Sequence, residues 1–137
     1  MDIQHPIPEE MVAALLSAAE AGRWNHWGHE VRQHASDWRD AGDVRQPLTA
    51  TQFAQLPILM ARHPSVELAV YGYRDRPVWG FFCKSLPFEG KRLSWVLVVY
   101  DPVAGEIIHC MRPRLGKRYC ERWGEQTRLF EPVRWRE

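Results

Sequence analysis

Of the six histidines in this 137-residue chain, three stand where an imidazole can do chemistry. His29 and His34 share a helical stretch, and His109 sits inside the apolar run Glu106–Met111, which reads as a strand. Histidine titrates close enough to neutrality to serve as acid or base, and a positioned acid–base group contributes on the order of 10²–10⁴ in rate. Arg112 and Arg114 follow His109, and Lys84 ends an earlier strand. A guanidinium donates two parallel hydrogen bonds and so suits a phosphate, although strand-end charges are also commonly just solvated. Ser85, Ser94 and the cysteines have no evident base and orienter beside them in the pattern, so nucleophilic catalysis of the triad type is not supported.

These residues must be positioned by two unlike halves of the chain. Pro8, Glu9 and Glu10 mark a helix start, with acids at the positive end of the dipole, and Gly22 marks its end. Trp24, Trp27, Val31, His34 and Trp38 recur at steps of three and four, which predicts a second helix over Trp24–Asp40 with His34 on its buried stripe. His29 lies about 140° round that helix from His34, at 100° per residue, so the two rings diverge. That geometry excludes the i, i+4 histidine pair of a metalloprotease helix. No other cluster has metal-ligand spacing, so neither metal nor cofactor is expected. Thr49 or Thr51 caps a third helix, which Pro57 is expected to kink or split and His63-Pro64 closes.

From Val66 the pattern turns to β. Strands are predicted at Val66–Tyr73, Val78–Lys84, Leu93–Tyr100 and Glu106–Met111, with a last edge strand within Thr127–Trp135. Period-two alternation would put His109 on the face of Ile107 and Met111. Asp101–Gly105 reads as a hairpin connection and Arg114–Gly124 as a helical turn or basic loop. The expected fold is one α+β domain, residues 1–137. Its N-terminal helices, 1–64, pack on one face of an antiparallel four- to five-stranded β-meander, 65–137.

Composition is that of a globular protein, 45% hydrophobic and 26% charged. Net charge is +1, but residues 112–137 hold eight basic residues against four glutamates, a local +4, whereas residues 1–111 carry 10 basic and 13 acidic. Such a segment suggests a local anionic partner or a salt-bridged surface, not wholesale polyanion binding. Three cysteines without Cys-x-x-Cys spacing argue against a disulfide framework or zinc ribbon, and cytoplasmic folding is the simplest expectation. Met11–Ala19 follows two glutamates, so it reads as a helix face and not as a signal peptide; no membrane association is expected.

His29-x4-His34, then Gln46-Pro47-Leu48-Thr49, Phe53-Ala54-Gln55-Leu56-Pro57 and His63-Pro64, followed by strands and the arginines after His109, resembles one known family. The string is similar to phage-associated nuclease-like domains grouped with barnase, EndoU, colicin tRNases and RelE toxins. It spans roughly 28–114. Ala35 departs from the glycine common after the second histidine, and the tail beyond Arg114 lies outside the pattern. The resemblance implies metal-independent, toxin-like cleavage of RNA or tRNA, with a protein inhibitor in the producer. Its residues would be His29, His34, His109 and Arg112 in catalysis, with Lys84 and Arg114 as supporting cations for the substrate. Such chemistry needs a base for the 2′-hydroxyl, an acid for the 5′-oxygen and cations for the phosphate. The alternative is a binding module of the same fold without catalysis, gripping RNA or acting as an immunity or adaptor protein. The near-zero net charge favours that class. Tyr71, Tyr73, Trp79 and Phe81 are candidates for base stacking, though core or cross-strand packing is the commoner role of such rings.

Overall fold

A computed structural model describes residues 7–34, 48–84, 94–113 and 115–123, and the backbone of 134–136. Helix α1 (Glu9–Glu20) begins immediately after Pro8 and ends before Gly22, whose φ of +68° suits the residue without a Cβ. Helix α2 covers Trp27–His34 and helix α3 covers Ala50–Arg62. Thr49 caps α3 through a reciprocal pair: its Oγ1 accepts from the Gln52 N–H at 3.1 Å, and Gln52 Oε1 accepts from the Thr49 N–H at 3.0 Å. Pro57 does not split α3; it lies buried inside one helix, where its missing N–H leaves the carbonyl one turn earlier without that donor.

Strands β1 (Glu67–Tyr73), β2 (Arg76–Lys84), β3 (Trp95–Asp101) and β4 (Glu106–Met111) form an antiparallel meander, confirming the α+β class. Strand β5 (Arg134–Arg136) pairs antiparallel with β1 at the far edge, so the sheet order is β4-β3-β2-β1-β5. Strand β2 starts at Arg76, earlier than its apolar run suggests. Pro77 is tolerated there because at that point β2 pairs only with β1, and the ladder to β3 begins at Trp79. The β3–β4 hairpin is organised by Asp101, buried at 1% exposure. Its Oδ1 accepts from the N–H groups of Val103 (3.0 Å) and Ala104 (3.3 Å), and its carboxylate pairs with Arg76.

Helices cover both faces of the sheet, not one. Helices α1 and α3 pack Leu15, Phe53, Leu56 and Met60 against Leu68, Phe81, Val96 and Val98. The opposite face is closed by α4 (Lys117–Arg122), whose Cys120 packs with Ala69, Tyr71, Phe82, Leu97 and Val99. Apolar residues on both faces of β3 explain its unbroken hydrophobic run. Lys117 of α4 reaches Glu67 of β1 at 3.4 Å. Tyr71 lies across Gly80 on this face, and its hydroxyl donates to the Cys120 carbonyl.

Two predictions test this packing. A Cβ at position 80 would fall inside the Tyr71 ring, so Gly80→Ala should destabilise by about 1–3 kcal/mol, the usual cost of overpacking. Urea denaturation of the two proteins measures it. Burial, with a smaller contribution from Glu67, pushes the Cys83 and Cys120 thiols up to about 12. An unfolded thiol ionises near 8.5, so above that pH the unfolded chain releases protons that the native state keeps. Stability from these thiols is therefore complete below about pH 8.5 and lost as pH rises towards 12. The urea midpoint should fall over this range, with a shallower fall in Cys83→Ala and Cys120→Ala.

Candidate functional site

The site begins with a piece of backbone. Helix α2 starts at Trp27 and not at Trp24, because Arg23–Asn25 is used as a short parallel extension on the edge of β4. The Ile107 N–H donates to the Arg23 carbonyl and the Asn25 N–H donates to the Ile107 carbonyl, both at 2.9 Å. His26 then turns the chain at φ +57°, and α2 starts beside β4. Trp24 and Trp27 pack on Phe53, with ring centroids 5.6 and 5.9 Å away, which ties α2 to α3. The periodic stripe runs Trp27, Val31, His34, and Glu30 lies on it as well, one helical turn before His34.

The second contribution comes from an irregularity in β4. Tyr100 pairs with Ile107 but Val99 pairs with His109, so Ile108 is an extra residue, a β-bulge. The bulge breaks the period of two. Ile107 joins the face covered by α1 and α3, while His109 and Met111 stand opposite Val99 and Leu97 on the α4 face. The expectation that His109 shares a face with Ile107 is corrected by this bulge; its sharing with Met111 holds.

Together these features bring Glu30, His34 and His109 into one cluster. The Glu30 side chain is 4% exposed, against 12% for His34 and 21% for His109. Glu30 Oε1 is 3.1 Å from His109 Nδ1, and Glu30 Oε2 is 3.3 Å from His34 Nε2. Despite that proximity, Oε2 is buried without a hydrogen-bond partner. The two imidazoles meet edge to face at 4.8 Å, and His109 stacks on Trp123 at 5.8 Å. Trp123 in turn contacts Tyr71 and Tyr73, at 5.3 and 5.8 Å. His109 Nε2 faces Met111 Sδ at 2.9 Å. Beside the cluster is a surface pocket of about 330 Å³ that His34, Met111, Arg112 and Tyr119 help to line. Burial raises the Tyr119 hydroxyl, which therefore stays protonated near neutrality.

Two of the sequence candidates, His34 and His109, thus belong to one cluster, and Arg112 lines the adjoining pocket. His29 is exposed on α2 and outside the cluster, as its angular offset from His34 implies. Lys84 is exposed at the end of β2 and does not line the pocket. Arg114 lies outside the described residues, as do Gln46 and Pro47 of the motif string. Sequence spacing gave no metal-ligand set, yet three donors converge within 4.8 Å. The fold brings together residues 79 positions apart. Glu30 was the residue missed, and its place on an otherwise apolar stripe was the available signal. The four strand aromatics are split between the two packed faces: Tyr71 and Tyr73 under α4, Trp79 and Phe81 under α1 and α3. They serve as packing, not as a stacking platform.

No helix among the described residues is long and apolar enough to cross a membrane. No family model matches the sequence, and neither a curated protein nor a solved structure matches the chain. The likeness to nuclease domains therefore rests on the motif residues alone.

Contact through a buried carboxylate makes Glu30 and His109 energetically coupled. A double-mutant cycle with Glu30→Gln and His109→Ala should return an interaction of about 0.5–3 kcal/mol by urea denaturation.

Proposed function

We propose that this protein is a small toxin-like endoribonuclease that cleaves RNA or tRNA by metal-independent acid–base transesterification. The observation that supports this reading most is the pair His34 and His109, held by one buried carboxylate, beside a pocket that Arg112 lines. One imidazole takes the proton of a ribose 2′-hydroxyl, whose oxygen attacks the adjacent phosphorus. The other gives a proton to the departing 5′-oxygen, leaving a 2′,3′-cyclic phosphate. Arg112 holds the phosphate oxygens as negative charge builds on them. Glu30 is a positioning residue that fixes both rings. The substrate would be cytosolic RNA, and a producing cell would need a protein inhibitor that covers the pocket.

A second reading, an RNA-gripping module without turnover, is favoured by one detail: both ring nitrogens of His109 already face protein atoms, Glu30 Oε1 and Met111 Sδ. It predicts an RNA affinity that falls with added salt and no product.

The two separate in a single assay. Purified protein with total RNA in EDTA should yield fragments ending in cyclic phosphate. His34→Ala, His109→Ala and Arg112→Ala should each lower the rate by on the order of 10²–10⁴. RNA left intact, or cut equally well by all three variants, rules out the catalytic reading.

A further inference from the structure

We propose that Glu30, His34 and His109 form a binding site for one first-row divalent metal ion, Zn²⁺ by donor type, and that the loaded site cannot carry out acid–base cleavage. The second clause rests on the ribonuclease reading; the first does not. Two imidazoles and one carboxylate are a donor set that such ions accept, with further positions left to water. Ligands about 2.0–2.1 Å from a tetrahedral ion stand roughly 3.3 Å from one another. The nitrogen–oxygen separations here are 3.1 Å from His109 to Glu30 Oε1 and 3.3 Å from His34 to Oε2, and one donor atom from each of the three residues lies within 4.8 Å of the others.

Hydrogen bonding alone would also bring such atoms together, so the decision rests on what hydrogen bonds leave unsatisfied. Glu30 is almost wholly buried, and its Oε2 has no hydrogen-bond partner. His34 Nε2 lies within ion-pair distance at 3.3 Å but does not hydrogen-bond to it, and a buried carboxylate oxygen without a hydrogen bond is costly. His109 shows the complementary mismatch. If Nδ1–H donates to Glu30, a neutral ring turns the lone pair of Nε2 towards Met111 Sδ, itself an acceptor, at 2.9 Å. Protonating His109 would relieve the sulfur contact but leave Oε2 unpartnered. An ion held by Nδ1 relieves both. It ligates the carboxylate and moves the ring proton to Nε2, which then donates to the thioether, as ligating histidines commonly do with their second nitrogen. The pocket beside His34 provides a route for the ion and for water. An imidazole that ligates through the nitrogen facing Glu30 carries its proton on the other nitrogen and has no lone pair left to take one up, so a loaded site has no general base.

The test uses the full chain, stripped with EDTA, desalted, and titrated with Co²⁺ in the absence of RNA. Visible d–d bands should saturate at one ion per chain and be displaced by Zn²⁺. Zn²⁺ should also raise the thermal midpoint of the wild type. His34→Ala and His109→Ala should weaken Co²⁺ binding at least ~100-fold, since they remove a ligand and not merely its support. His29→Ala should leave the bands unchanged. His34 is partly exposed, so circular dichroism of His34→Ala separates loss of binding from loss of fold. Absence of saturable bands and of a Zn²⁺-induced thermal shift in the wild type overturns the site. Bands retained in folded His34→Ala and His109→Ala do the same. If RNA is cleaved in EDTA, an equimolar amount of Zn²⁺ added to the stripped, desalted protein should suppress cleavage by the fraction of sites filled, and undiminished cleavage by the loaded protein overturns the exclusion. If no RNA is cleaved under any condition, the ribonuclease reading fails while the Co²⁺ bands still decide the site.

Discussion

A carboxylate buried at the seam between a helix and a sheet edge governs this end of the molecule. Removing an ionised group from water costs several kcal/mol even after the protein relaxes around it. The Glu30 side chain keeps only 4% of its exposure, so the surroundings must supply what water no longer does. Two imidazoles do so from different directions, one a turn along its own helix and one from β4. Neither is a permanent cation, which separates this cluster from another buried acid, Asp101, whose partner Arg76 is always charged. Asp101 also accepts from two backbone N–H groups and serves to shape a hairpin. Similar burial thus yields an acid that shapes a hairpin in one place and an acid flanked by two imidazoles in the other.

The rest of the fold holds that seam closed. The backbone of Arg23–Asn25 fixes where α2 starts along β4, and the tryptophans on either side of His26 anchor the helix to Phe53. The bulge at Ile108 turns His109 to the face where Trp123 stacks on it. Trp123 is held by Tyr71 and Tyr73, and Tyr71 by the space above Gly80 and its bond to Cys120. A chain of ring contacts therefore links the cluster to the middle of the sheet. Burial keeps the Cys83 and Cys120 thiols protonated, and a protonated thiol is a poor nucleophile.

Much of the fold was legible in the sequence. Apolar runs mark the four strands of the meander, and Thr49 or Thr51 at one end and His63-Pro64 at the other mark α3. What escaped had particular causes. The start of α2 was placed too early because Trp24 fits the helical period, whereas its backbone is taken up by pairing with Ile107, a tertiary contact that no local pattern carries. The face of His109 was half right because a bulge adds one residue without a glycine or proline to announce it. The segment 114–124 reads as a helical turn or a basic loop; α4 is that helical turn, and its role in closing the second face follows from the apolar Cys120 among charged neighbours. His34 was placed correctly by its stripe. Glu30 was passed over because an acid in the first turn of a helix is ordinarily a solvated complement to the dipole.

The bulge at Ile108 also bears on when the site can exist. His109 and Glu30 are separated by 79 residues, and β4 must add its bulged register to β3 before their side chains can meet. Loop closure over such a span costs entropy that local helix formation cannot repay, so contacts of this kind form late in folding. A chain still emerging during synthesis, with α1, α2 and α3 already formed, would hold the carboxylate and one histidine but no complete cluster. The three side chains come together only once β4 has joined the sheet.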